Sequence, residues 1–467
     1  MNNVFGGVGG HKIVLFSAIG VAFLVLATGA VFAGAAIGPK PTTVAVVSPT
    51  PQPTAAASRP VPATVADAAA LRTCSVATQA SDPNLLKFEG TVINAATGEA
   101  LFDRSGSTPS RTASVLKTLT AAAALSVLGP DYQITTSVFE GATPGTVVLV
   151  GGGDPTLSAM PPGTESVYTG APKMSDLAAQ VKVKWAERHP GVVITGVVLD
   201  STLWNPADNW DSSWERTEQI EGSQPEITAL MIDGGRANPQ RQDSPRSSTG
   251  IQDAGTSFET YLGLGAANTT IGTAAPGAKL LATVKSQPVS TLISQMLPVS
   301  DNTLGEMLAR VTSKVSGNNG SSQSLAKVIP AALAKYNLNT TGLTIRDGSG
   351  LSSENAVPST FVAQLMAKVS AGQQNLNVIY DALPVAGRTG TLASRFTGAN
   401  AVARGAVVAK TGWIRTEYAL AGVVHARDGA TLSFAFYALG AINSRTQPAL
   451  DTMATAIFKC GKNLSND

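Results

Sequence analysis

Histidine is scarce in this chain. Only His11, His189 and His425 occur among 467 residues, and His11 stands at the edge of a long apolar run, so a histidine-based catalytic triad has little to draw on. Cysteine is scarcer still, with Cys74 and Cys460 alone, and no cluster with metal-ligand spacing is present. A surplus of one charge is missing as well. Thirty-three basic and 31 acidic residues leave a net charge of +2, and the basic residues are scattered, without stripes or interleaved aromatics, which speaks against a nucleic-acid partner.

Apolar residues are plentiful, at 43% of the chain, enough for one large core or two to three smaller ones. From Ile13 to Gly38 they form an unbroken apolar or small-residue run after Lys12, long enough to cross a bilayer. The expected division is therefore a cytoplasmic segment over 1–12 and a transmembrane anchor or signal peptide over 13–38. The stretch "VFAGAA" offers a small-residue cleavage site at Ala33 and Ala35. Residues 39–66 carry seven prolines between Pro39 and Pro62 and read as a linker with polyproline character, reaching roughly 80 Å at about 3.1 Å per residue. The folded part is thus expected outside the cytoplasm, tethered to the membrane if the first segment is uncleaved. In an oxidising compartment Cys74 and Cys460 could pair and tie the two ends of that part together, worth roughly 5 kcal/mol by loop entropy. Two unrelated buried thiols are the alternative.

Globular composition begins near Asp67. "KFEGTVINAATGEALFD" reads as a hairpin turning at Ala96-Thr97-Gly98, and "TASVLKTLTAAAAL" (112–125) as the start of a buried helix. Between Thr136 and Ser286 short β-like runs such as "TVVLV", "GVVITGVVLD" and "ITALMID" are broken by Gly, Pro and Asp, which predicts a β-rich insertion. Helical periodicity returns with Leu304, Met307, Leu308 and Val311 and in "SLAKVIPAALAKYN". The C-terminus reads as three strands, "RGAVVAKTGWI", "YALAGVVHA" and "TLSFAFYALG", and a closing helix, "ALDTMATAIF". Both ends supply strands, so the expected fold is α+β: one antiparallel sheet flanked by helices, formed by 67–136 and 287–467 and interrupted by the β-rich insertion 137–286.

A serine hydroxyl needs a base to become nucleophilic. Where histidine is lacking, a lysine can serve if burial or a second cation lowers its pKa from about 10.4 toward 7–8. Ser114 and Lys117, three apart at a helix start, share a face, with Val115, Leu116 and Leu119 to keep the site dry. The S-x-x-K spacing recurs, however, at Ser324 and Lys327. Ser-x-Asn triplets occur at Ser300-Asp301-Asn302, Ser316-Gly317-Asn318 and Ser353-Glu354-Asn355. Only one K-T-G occurs, Lys410-Thr411-Gly412. Ser114 and Ser300 each lead an apolar helix, whereas Ser324 enters an amphipathic one and Ser353 lies in a Gly/Ser loop, which favours the first set.

Taken in that order, S-x-x-K, S-D-N and K-T-G resemble the penicilloyl-serine enzymes, the penicillin-binding proteins and serine β-lactamases. From about residue 67 to Cys460 the chain is similar to the DacB-type D-alanyl-D-alanine carboxypeptidases, the low-molecular-mass class C penicillin-binding proteins. The segments that carry this are "LGPDYQITTSVF", "VGGGDPTL", "ALMIDGGR", "SDNTLGEMLAR", "RDGSGLSSEN", "LPVAGRTGTLASRF" and "AKTG". The resemblance implies a serine-type hydrolase of peptidoglycan stem peptides, inhibited by β-lactams and needing no cofactor. It implies Ser114 as acylated nucleophile, Lys117 as base, Ser300 as proton relay, and Asn302 as holder of Lys117 and of the substrate amide, with Asp301 pointing away. Lys410 would stay charged, helping to keep Lys117 neutral and attracting a substrate carboxylate, with Thr411 as added donor and Gly412 allowing close approach. Backbone N–H groups of Ser114 and Trp413 would form an oxyanion hole. Trp413 departs from the Thr or Ser usual after K-T-G and makes the rim bulkier. Two rivals stand beside this reading: a β-lactamase, for which no deacylating E-x-x-Leu-Asn signature is found, and a catalytically silent cell-wall-binding scaffold. Trp204, Trp210 and Trp214 are expected to pack within the insertion, and "DGSG" (347–350) to be a turn.

Overall fold

The computed structural model describes residues 72–265 and 268–466; the segments 1–12, 13–38 and 39–66 lie outside the described residues. Along the chain come α1 (Ala77–Ala80), β1 (Lys87–Asn94), β2 (Ala100–Arg104), β3 (Pro109–Ser110) and α2 (Leu116–Val127). The insertion follows with β4 (Thr135–Glu140), β5 (Thr146–Val150), α3 (Met174–Arg188), β6 (Gly196–Asp200), α4 (Thr217–Glu221), α5 (Gly250–Leu262), β7 (Asn268–Ile271) and β8 (Leu280–Lys285). The chain then forms α6 (Val289–Val299), α7 (Asn302–Val315), α8 (Leu325–Ala334), β9 (Val357–Pro358), α9 (Ser359–Ser370) and α10 (Asn377–Ala382). It ends with β10 (Val407–Ile414), β11 (Glu417–His425), β12 (Thr431–Leu439) and α11 (Thr446–Cys460).

The main sheet has the order β10-β11-β12-β1-β2 and is antiparallel throughout. Its two outer contributions come from opposite ends of the described chain, joined where β1 pairs with β12 from Lys87 opposite Leu439 to Asn94 opposite Leu432. Helices cover both faces, which explains why β12 reads as continuously apolar. Leu432, Phe434, Phe436 and Ala438 pack with α11, while Ala435, Tyr437 and Leu439 join the core on the side of α2 and α9.

The insertion builds a second sheet, β7-β6-β5-β4-β8. Its β5–β6 and β6–β7 pairs are parallel, a pairing that requires a crossover rather than a tight turn. The crossovers are α3 and α5, whose Met174, Leu177, Val181, Trp185 and Phe258 fill the core against this sheet. The insertion is thus more helical than its β-like runs suggest. The strand expected at Ile227–Asp233 does not form; this stretch is a buried loop in which Asp233 has φ 48°.

Cys74 and Cys460 form a disulfide with their Cα atoms 5.5 Å apart. Backbone bonds run alongside it, from Cys74 N–H to the Asn463 carbonyl (3.1 Å) and from Ser465 N–H to the Cys74 carbonyl (3.0 Å). The bond closes a loop of 386 residues in sequence separation. Replacing both cysteines by serine is expected to lower unfolding stability by about 2–5 kcal/mol, read from the denaturant midpoint. An unchanged midpoint would show that the closed loop contributes nothing.

Candidate active site

Ser114 lies in a single 3₁₀ turn, Ala113–Val115, that runs directly into α2. Side chains three apart eclipse in such a turn, so Lys117 falls beneath Ser114. Its Nζ is 2.8 Å from Ser114 Oγ, and it donates to Asn302 Oδ1 at 2.6 Å and to the Ser349 carbonyl at 2.7 Å. Lys117 is fully buried. Burial lowers its pKa to about 8, against the opposing pull of Asp347, Asp301 and Glu306.

Each residue of the Ser300-Asp301-Asn302 triplet has a distinct place at a helix corner. Ser300 ends α6 in the left-handed region, with φ 61°, a conformation costly for a residue with a Cβ and held here by its surroundings. Asp301 caps α7 by accepting the Leu304 N–H at 3.0 Å. Asn302 is the first residue of α7 and faces Lys117.

Asp301 does point away, into the insertion, where its Oδ2 accepts from Arg236 at 2.7 Å and Tyr168 at 3.0 Å. Burial alone would raise its pKa, but Arg236 and Arg246 hold it well below the usual carboxylate range. The "ALMIDGGR" segment, which contains Arg236, therefore clamps the corner that aims Ser300 and Asn302.

Lys410 enters from β10, its Nζ donating to Ser300 Oγ at 2.8 Å and to the Thr411 carbonyl at 2.7 Å. It too is fully buried. Burial itself is what lowers Lys117, and Lys410 is driven well below the ordinary lysine range by burial and then by Lys117. Two ammonium groups in one dry site repel, so the site disfavours carrying both charges at once.

β10 passes close to the turn that carries Ser114. A Cβ on Gly412 would lie 2.8 Å from the Thr112 carbonyl oxygen and 3.1 Å from Ala113 Cβ, so only glycine allows the approach. Between them opens a cleft of about 240 Å³ lined by Ser114, Ser300, Asn302, Thr411 and Trp413. Trp413 stands 51% exposed at the rim. The competing motif copies are not assembled: Ser324 bonds to Ser313 and to the Ser321 carbonyl, and Lys327 is exposed.

The sequence profile of the D-Ala-D-Ala carboxypeptidase 3 (S13) family matches residues 73–248 and 240–458. The chain belongs to that family. As an S13 enzyme it is a serine-type D-Ala-D-Ala carboxypeptidase. It is 36% identical to a carboxypeptidase of Mycobacterium tuberculosis, over 89% of this chain and 90% of that one. It is 33% identical to carboxypeptidase DacB of Mycolicibacterium smegmatis, over 95% and 97%. In fold it is similar to penicillin-binding protein 4 (dacB) of Haemophilus influenzae, with a TM-score of 0.65, 18% identity, and coverage of 80% of this chain and 95% of that one. A structure of the same protein complexed with a β-lactam gives a TM-score of 0.59, at 18% identity and the same coverage.

Several residues of this S13 site escape a reading by motif. "DGSG" is a turn, but its Ser349 carbonyl is a direct partner of Lys117. Asp347 anchors the turn by accepting Gly350 N–H (2.8 Å), Ser352 N–H (2.6 Å) and Trp214 Nε1 (2.9 Å). Trp204 and Trp214 are buried, as packing residues should be, yet Trp214 also ties the insertion to this turn. Thr391, just past the "RTG" that mimics the third motif, lines the cleft and has its Oγ1 2.8 Å from that of Thr411. The trace of Asp347, Ser349 and Thr391 in the sequence is membership of the conspicuous Gly-rich segments "RDGSGLSSEN" and "LPVAGRTGTLASRF".

The Arg236–Asp301 pair is at most 1% exposed on either side. Arg236→Ala is expected to cost the S13 enzyme about 3–5 kcal/mol of stability by stranding a buried charge, and to slow acylation by loosening the Ser300–Asn302 corner. Wild-type acylation and melting behaviour in this variant would show that the clamp does not position the corner.

Proposed function

We propose that Ser114 attacks the carbonyl of the penultimate D-alanine of a peptidoglycan stem peptide, with Lys117 as the base. The observation that carries this reading is the set of partners around Lys117 Nζ. A neutral amine has two N–H donors and one lone pair. Asn302 Oδ1 and the Ser349 carbonyl are pure acceptors and take the two N–H groups, which leaves the lone pair for the proton of Ser114, 2.8 Å away. No imidazole is required.

In this mechanism Lys117 takes the hydroxyl proton as Oγ bonds to the carbonyl carbon, and the oxyanion is held by the backbone N–H groups of Ser114 and Trp413. Ser300 relays a proton to the departing amine as the peptide bond breaks. Lys410 becomes the favoured cation when the terminal carboxylate of the substrate arrives, with Thr411 donating beside it. Water then hydrolyses the ester and Ser114 is regenerated. Cleavage of a D-alanyl cross-link follows the same steps with a different leaving amine. β-Lactams are inhibitors because the opened ring stays attached as a slowly hydrolysed ester, a reading supported by the β-lactam complex of the Haemophilus protein. Residues 67–136 and 287–467 are the catalytic domain, with 137–286 inserted. The disulfide supports an extracytoplasmic site of action, and the apolar run over 13–38 supports a membrane tether or an export signal.

Ser114→Ala is expected to abolish labelling by a fluorescent penicillin while the melting temperature stays near wild type; persistent labelling refutes the nucleophile. Lys117→Ala should slow acylation by at least about 100-fold, and a wild-type rate would remove Lys117 from its role. Digestion of purified muropeptides should release D-alanine. Intact pentapeptide and cross-links after prolonged incubation would contradict the substrate assignment.

A further inference from the structure

Glu306 takes no part in the proton transfers above, yet it is fully buried on α7, one helical turn beyond Asn302. Its Oε1 accepts the backbone N–H groups of Gly348 at 3.0 Å and Ser349 at 2.7 Å. The carbonyls of the same two residues face α2. There the Gly348 carbonyl accepts from Thr120 Oγ1 at 2.6 Å, and the Ser349 carbonyl accepts from Lys117 Nζ at 2.7 Å. Residues 348–349 are thus a splint held between α7 and α2. A Cβ on Gly348 would fall 2.5 Å from Ala309 Cβ and 2.7 Å from the Gly305 carbonyl oxygen, so this closeness depends on glycine.

Glu306 Oε2 has no hydrogen-bond partner, and neither do Nε and Nη2 of Arg310, four residues further along α7. A carboxyl group that served only to pin the loop would need one acceptor oxygen. The second, unpartnered oxygen leaves the charge of this group poorly compensated and within range of Lys117.

We propose that Glu306 is a positioning residue for Lys117: it fixes the Ser349 carbonyl that takes one N–H of the amine, and its charge sets how readily that amine gives up its proton. The inference rests on the assignment of Lys117 as base. The charged groups around Glu306 are Asp347 in the splint loop, Arg310 on its own helix and Lys117 on α2, and Lys117 is further influenced by Asp301. Burial, reinforced by Asp347, raises the pKa of Glu306 to about 7, against hydrogen bonding by Ser349, the charge of Arg310 and the Gly348 N–H. The charge of Glu306 raises the pKa of Lys117, so the two titrate as a linked system. The ionised carboxylate favours the charged lysine; removing that charge favours the neutral one.

The test is the pH dependence of kcat/KM for D-alanine release, whose acid limb in the wild type should lie near pH 8, set by Lys117. Glu306→Gln keeps an acceptor for the two N–H groups but not the charge, so the limb should move to lower pH by about half a unit with the plateau largely retained. Glu306→Ala removes the pin as well and should lower the plateau by about tenfold or more. A limb in Glu306→Gln that coincides with wild type, or an undiminished plateau in Glu306→Ala, overturns the proposal. Should Glu306→Gln fail to fold, Glu306→Asp takes its place: it retracts the carboxylate from the splint while keeping the charge, and a wild-type plateau there overturns the positioning role. A wild type without any acid limb, or a Lys117→Ala variant that acylates normally, sinks the base assignment and this inference together. An unmoved limb in Glu306→Gln beside a normal wild-type profile sinks the inference alone.

Discussion

A lysine amine enclosed among acceptors is the constraint on which the rest of this molecule turns. Removing an ammonium from water is costly, and the fold accepts that cost at Lys117 by surrounding it with the helices of the main core. The partners of the amine come from three separate elements: the turn before α2, the start of α7 and the loop at 347–350. None of the three can shift without leaving a buried polar group unsatisfied. The proposed chemistry and the packing therefore impose the same geometry.

The insertion belongs to this arrangement. Through Arg236 and Tyr168 it holds Asp301, and through Trp214 it holds Asp347. Arg310 reaches out from α7 to Asp208 at 2.9 Å in the same inserted stretch. Elements far apart in the chain thus brace the α6–α7 corner and the splint loop from behind, and on the cleft side Glu218 and Ser223 of the insertion join Ser114, Ser300, Thr411 and Trp413. The exposed indole of Trp413 lines this cleft at its rim.

Much of the design was legible in the residues. The hairpin 87–104, the helix from Leu116 and the three C-terminal strands follow from apolar runs, turn residues and helix-favouring alanines. The helices of the insertion were not, because α3 spends most of its surface on water: Val183 is exposed while charged residues alternate with the apolar ones along it. Its short neighbouring strands dominate the pattern. Ile227–Asp233 misleads in the opposite direction, since its apolar residues are buried as a loop wedged between sheet and core.

Local sequence placed Ser114 and Lys117 on one face, because residues three apart at a helix start share a side, but the same spacing at Ser324 and Lys327 makes no such pair. It also set the order of the three motifs and the capping of α7 by Asp301. Only the tertiary structure decided which Ser-x-x-K is dry, that both motif lysines are fully buried, and that a backbone carbonyl at Ser349, pinned by Glu306, completes the shell around Lys117. The reason is physical: burial and electrostatic coupling depend on what surrounds a group in space, and those neighbours lie up to 232 residues away along the chain.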